Sequence, residues 1–172
     1  MADQSESNSS MAPPECYYLA PTKHVPNSPL PLLVYRDVLP KPITAESCQE
    51  MVEGHGWTRQ SKIWGAYYYR HFHPNNHECY AVLSGDVIIH PAGVSHANVS
   101  EEGDYKYMPF NPSEKTTWRT ELGRKPMDFD AMIAETLAVP IPCDPVAGHN
   151  GHLQRLWSEA LDQFQASASQ SA

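Results

Sequence analysis

The 172-residue chain is poor in positive charge, with 12 Lys and Arg against 20 Asp and Glu and a formal net charge of −8. It has no basic run, which argues against a nucleic-acid partner and against docking on an anionic membrane. Long apolar runs are missing too. No window approaches the ~20 consecutive apolar residues of a membrane-spanning helix. The first fifteen residues, MADQSESNSSMAPPE, have neither a basic start nor an apolar stretch, unlike a secretory signal. Cysteine is scarce, and Cys16, Cys48, Cys79 and Cys143 form no C-x-x-C pair. These absences predict a cytoplasmic chain with reduced thiols.

Proline, by contrast, is abundant at 16 of 172 residues, and histidine reaches nine. Such proline usage predicts short elements and many turns rather than a bundle of long helices. The length suits a single domain. Residues 1–15 are polar and Ser-rich and are expected to be a disordered tail. Residues 16–158 are expected to form the domain, and 159–172 a terminal helix or tail whose last residues, ASASQSA, resemble the amino-terminal tail in composition.

Within the domain, LLVY at 32–35 reads as a strand and TAESCQEMVEGHG at 44–56 as a helix. Thr44 or Ser47 would cap that helix, and Gly54 or Gly56 would end it. From Trp64 to Tyr107 the pattern turns to strands: IWGAYYYRHFH, ECYAVL, VIIH and GDYKYMPF. PMDFDAMIAETLA at 126–138 has helical spacing, with Phe129, Met132, Ile133 and Leu137 on one face. LQRLW at 153–157 is read as a strand followed by a helix.

The chemistry concentrates in HFHPNNHECYAVLSGDVIIHPAGVSH, residues 71–96. In an extended segment, residues two apart share a face, so His71 and His73 aim at one point. The Pro74-Asn75-Asn76 turn returns the chain so that Glu78 can approach that point. His96, after the Pro91-Ala92-Gly93 turn, can add a third imidazole. Three imidazoles and a carboxylate suit a divalent ion. With nine histidines, a His-x-His pair alone carries little weight; the flanking glycines make the pattern specific.

Gly65, His71, His73, Glu78 and Gly85 stand at the spacing of the first motif of the cupin superfamily. Gly85, Pro91, Gly93 and His96 match most of the second. Ser100 departs from it, because an Asn usually closes that motif, and Asn98 lies nearby. Motif one thus spans 65–85 and motif two 85–100. With NSPLPLLVY upstream and VPIPCDPVAGHNGHLQRLW downstream, the chain resembles the small, uncharacterised, single-domain YjlB-like cupins over roughly residues 17–157.

The resemblance implies an RmlC-like jelly roll, a double-stranded β-helix, with metal at the positions of His71, His73, Glu78 and His96. Fe or Mn is favoured for an oxygenase-type reaction, with Zn or Ni as further options. It implies a metal-dependent oxygenase-type or isomerase-type enzyme acting on a small molecule. The alternatives are a non-catalytic ligand-binding cupin and an inactive truncated product. Cupins often dimerise through barrel faces, which allows a homodimer.

One part of the cupin pattern is missing. The two motifs normally flank a β-hairpin of at least about fifteen residues, but here Gly85 ends one motif and begins the other. An incomplete barrel is therefore expected, with 79–83 and 86–90 joined directly through a tight turn at Ser84-Gly85-Asp86.

Other residues have competing readings. His77 could bind metal in an alternative register but more readily points outward or supports the site, and His90 is structural more readily than a ligand. Cys79 faces away from the metal as a packed thiol. Trp64, Tyr67, Tyr69 and Tyr80 are core residues more readily than pocket walls. Glu78 is a ligand more readily than a general base. His149 and His152 lie in a solvated turn.

Overall fold

The computed structural model describes residues 11–100, 102–112 and 118–170. Six strands form one antiparallel sheet: β1 (Glu15–Tyr17), β2 (Leu32–Tyr35), β3 (Trp57–Arg59), β4 (Glu78–Val82), β5 (Val87–His90) and β6 (Tyr107–Pro112). The strand order is β1-β2-β5-β4-β6-β3. Three helices accompany it: α1 (Ala45–Gly54), α2 (Phe129–Leu137) and α3 (His152–Gln170). The architecture is β-rich. No described helix is long and apolar enough to cross a membrane. All four cysteines are free.

Alternation along the strands separates the two faces of the sheet. Cys79 and Ala81 of β4, Val87 and Ile89 of β5, and Met108 and Phe110 of β6 enter the main core. There they join Cys48 and Val52 of α1 and Leu153, Trp157 and Ala160 of α3. Glu78, Tyr80 and Val82, with Ile88, His90 and Tyr107, alternate with those positions and so take the opposite face, where Tyr80, Val82 and Tyr107 form a second, smaller cluster. The sheet has a dry side against helices and a polar-aromatic side against irregular chain. Cys79 is fully buried on the dry side, as alternation predicts.

The hairpin joining β4 and β5 is direct. Cys79 pairs with Ile89 and Ala81 with Val87. The Val82 amide donates to Asp86 O at 2.8 Å, and the Gly85 amide to Val82 O at 2.9 Å. Gly85 has φ +135°, and a Cβ there would lie 2.9 Å from Asp37 Oδ1. The positive φ makes glycine the fitting residue here, and the exposed Asp37 carboxylate would have to turn aside for any side chain.

Helix α1 begins where its cap predicts. Thr44 accepts from the Ser47 amide while Ser47 Oγ accepts from the Thr44 amide, a reciprocal capping box.

Two expectations are corrected. Residues 64–73 do not form a strand; they make only isolated bridges, Trp64 with Tyr107, His71 with His96 and Phe72 with Glu121. A pair of extended segments without further neighbours is marginal as a sheet, and the Tyr67 amide bonds instead to the Asn98 side chain at 2.8 Å. Residues 153–157 are helix, not strand, and α3 continues to Gln170 through most of the ASASQSA segment. Its buried residues Leu153, Trp157 and Ala160 follow helical spacing, and the segment contains no Gly or Pro. Helix α2 forms within the expected 126–138 span, with Thr136 as its buried residue and Phe129 40% exposed.

Residues 1–10 of the expected amino-terminal tail lie outside the described residues. Met11 packs against the main core.

Candidate metal centre

Three segments bring His71, His73, Glu78 and His96 together. Each offers one ligand atom, and these atoms lie within 4.8 Å of one another. Glu78 opens β4, opposite His90 of β5. His71 and His96 are paired across an antiparallel bridge. His73 lies two residues beyond His71 and is fixed by the Gly93 amide, which donates to its carbonyl at 2.8 Å.

All three imidazoles are held in the same way. His71 Nδ1 lies 2.8 Å from Tyr69 O, His73 Nδ1 3.1 Å from Arg119 O, and His96 Nδ1 3.0 Å from Val94 O. A carbonyl can only accept, so each Nδ1 carries the proton and each Nε2 presents a lone pair. Those lone pairs converge on Glu78. His96 Nε2 is 3.1 Å and His73 Nε2 3.5 Å from Glu78 Oε2. With Nδ1 protonated, neither contact is a hydrogen bond. His73 Nε2, His96 Nε2 and Glu78 Oε2 are buried without a donor.

Burial works against charge at this site. It pushes the Glu78 carboxyl pKa up, while a proton carried on the facing side of the His73 or His96 ring outweighs it and draws the carboxyl well below its ordinary value. Burial, reinforced by His96, lowers the pKa of His71. With each Nδ1 bonded to a carbonyl, the three rings turn acceptors toward the carboxylate, and the cluster is rich in acceptors.

The cluster opens on a cavity of about 260 Å³. Trp64, Tyr67, Tyr80, Tyr107 and Trp118 form its aromatic walls, and Gln60, Ser61 and Thr120 add neutral polar groups. No lysine or arginine is among the described lining residues. Trp64, Tyr67 and Tyr80 are therefore cavity walls, whereas Tyr69 is 70% exposed. Trp118 lies over the His73 ring with centroids 4.3 Å apart.

The chain is similar to a curated protein from Bacillus subtilis (strain 168), "Uncharacterized protein YjlB". The two are 26% identical over 166 residues, which cover 83% of this chain and 96% of that protein. The alignment is longer than the part of this chain it covers, so it includes positions that this chain lacks. No family model matches, and no solved structure matches.

Several supporting residues carried no sequence signal. Residues 118–121 pass beside His73: the Phe72 and Glu121 amides each donate to the other's carbonyl at 2.9 Å. Asn75 Oδ1 accepts from the Arg119 amide at 2.9 Å. Arg119 is also paired with Glu121 and Glu135, each at 2.8 Å. His77 does not point outward. It is fully buried, lies against Trp157, and accepts at Nδ1 from the Ala92 amide at 2.9 Å. It thereby holds the turn that leads to His96. His90 is buried beside His96, with ring centroids 4.3 Å apart.

Proposed function

We propose that the protein is a metal-dependent cupin whose His71, His73, Glu78 and His96 hold one divalent ion beside a small aromatic cavity. The observation that carries this reading is the acceptor-only cluster. Three imidazoles each have Nδ1 occupied by a backbone carbonyl, and two of the opposing Nε2 atoms and Glu78 Oε2 are buried with no donor. Buried acceptors without donors are costly, and a cation satisfies them together. The residues present therefore fit a metal.

The mixed nitrogen and carboxylate set favours Fe or Mn, with Zn and Ni as further options. A bound ion of this kind supplies Lewis-acid or dioxygen-activating chemistry. The chain's own part is to fix the imidazoles through Tyr69, Arg119 and Val94 carbonyls and to enclose a small molecule between Tyr and Trp rings. Glu78 supplies the negative charge that a cation would neutralise.

The cupin jelly roll is the finer form of the β-rich fold described above. Support comes from the motif glycines, from the clustering of the four motif side chains and from the likeness to YjlB. The direct β4–β5 hairpin is consistent with a shortened barrel whose ligand-bearing segments still meet.

The test is reconstitution of the metal-free chain with Fe(II), Mn(II), Zn(II) or Ni(II), followed by oxygen uptake and product analysis across neutral aromatic metabolites. Turnover that depends on one of these ions supports an enzyme. Stoichiometric metal without turnover supports a binding protein, and a chain that takes up no ion contradicts the proposal.

A further inference from the structure

A second arrangement lies away from the imidazole cluster, in the VPIPCDPVAGHNGH segment. Cys143 Sγ is 3.4 Å from His149 Nδ1 and 3.7 Å from its Nε2. The loop that sets this distance is anchored at both ends. Trp57 Nε1 donates to Cys143 O at 2.9 Å. Asp144, fully buried, accepts from the amides of Val146, Ala147 and Leu153 and from the Tyr35 hydroxyl. The Gly148 amide donates to Asp144 O at 2.9 Å, and His55 packs on Gly148, so that a Cβ there would come within 3.0 Å of its ring. Cys143 and His149 thus meet on a braced loop.

Cys143 also borders a cavity of about 560 Å³ with apolar walls from Val139, Pro140, Ile141 and Pro142. A second polar group borders the same space. Asn76 is 3% exposed, and its Oδ1 has no hydrogen-bond partner among the described residues. A buried amide oxygen left unpaired is unfavourable, and a ligand N–H would satisfy it. The other thiols lack this setting. Cys48 and Cys79 are buried in the core, and Cys16 has its Sγ against Pro14 O at 3.8 Å. Burial raises the pKa of all three.

We propose that Cys143 is a thiol–disulfide exchange site, with His149 as proton acceptor, for small neutral disulfides carrying an amide N–H. His149 takes the thiol proton, and the Cys143 sulfur attacks one sulfur of the disulfide. The S–S bond of the ligand breaks as the mixed disulfide forms. The departing thiolate recovers the proton from His149. Cys143 is oxidised, and half of the ligand leaves as a reduced thiol, so electrons balance without another reactant. The apolar walls receive the ligand body, and Asn76 Oδ1 receives its N–H.

The test uses the full chain and N,N′-diacetylcystamine, with the modified position and its rate read by mass spectrometry. Cys143 is expected to be modified first. His149 is exposed, so His149→Ala leaves the packed core intact; it should slow Cys143 by about tenfold or more, with added imidazole restoring part of the rate. Bis(2-hydroxyethyl) disulfide, which has no amide, should react more slowly than the amide reagent at Cys143 but not at Cys16. First modification at Cys16, an unchanged rate in His149→Ala, or no preference for the amide reagent at Cys143 would overturn the proposal.

Discussion

His71 and His96 exchange both backbone hydrogen bonds: the His71 amide donates to His96 O at 3.2 Å and the His96 amide to His71 O at 3.0 Å. Their rings lie 4.4 Å apart. Each ring then bonds through Nδ1 to the carbonyl two residues before it, Tyr69 for His71 and Val94 for His96. One antiparallel pair therefore sets two imidazoles side by side, tilted 61° to each other, without help from a long sheet. This explains how the cluster assembles although residues 64–73 form no ladder.

The third imidazole depends on a longer chain of contacts. Asn75 holds the Arg119 amide, and the Arg119 carbonyl holds His73 Nδ1. Asn75→Ala leaves all four acceptor side chains in place but loosens this support. It is expected to weaken metal affinity by roughly tenfold, within the usual range for residues that orient a ligand. Competition with a chelator of known affinity measures the change.

The tight hairpin gives a stability prediction. Gly85 combines φ +135° with Asp37 Oδ1 only 2.9 Å from a would-be Cβ, and its carbonyl accepts from the Val38 and Leu39 amides at 2.9 and 3.0 Å. Gly85→Ala is expected to cost about 1–3 kcal/mol, read as a lower denaturation midpoint with an unchanged slope. An unchanged midpoint would mean that the turn adapts without strain.

Protonation should act on the metal-free chain in one direction. Burial, reinforced by the His96 ring, holds the His90 pKa well below its ordinary value; burial also lowers that of His71. An unfolded histidine binds its proton near pH ~6.5, so below that pH the unfolded chain holds protons that the native chain refuses. Stability is then retained above about pH 6.5 and lost as pH falls toward the folded values. His90→Leu should shrink the drop in Tm between about pH 7.5 and about pH 5.5. A drop of the same size would remove His90 from the account.

Local signals carried much of this structure into the sequence. Thr44 and Ser47 sit at cap spacing, Leu32–Tyr35 is a short apolar run, and Ser84-Gly85-Asp86 has turn chemistry; each element forms where these cues place it. The four acceptors were legible because the glycines around His71, His73, Glu78 and His96 recur at fixed spacing. Long-range contacts were not legible. The amino terminus of α3 is held by Asp144, since Leu153 N donates to its Oδ2 at 3.1 Å, and no local cap near 152 announces a helix. Of the two readings of His77, outward or supporting the site, the bond to the Ala92 amide and the contact with Trp157 favour the second. Arg119 and Trp118 approach His73 from more than forty positions away, a distance at which periodicity says nothing.

The most direct test of the central claim is the metal content of the reconstituted chain, measured by plasma mass spectrometry beside His73→Ala. The account predicts about one divalent ion per wild-type chain and loss of stoichiometric binding in the variant. A folded wild-type chain that retains no ion, or a variant that retains as much as wild type, would contradict it.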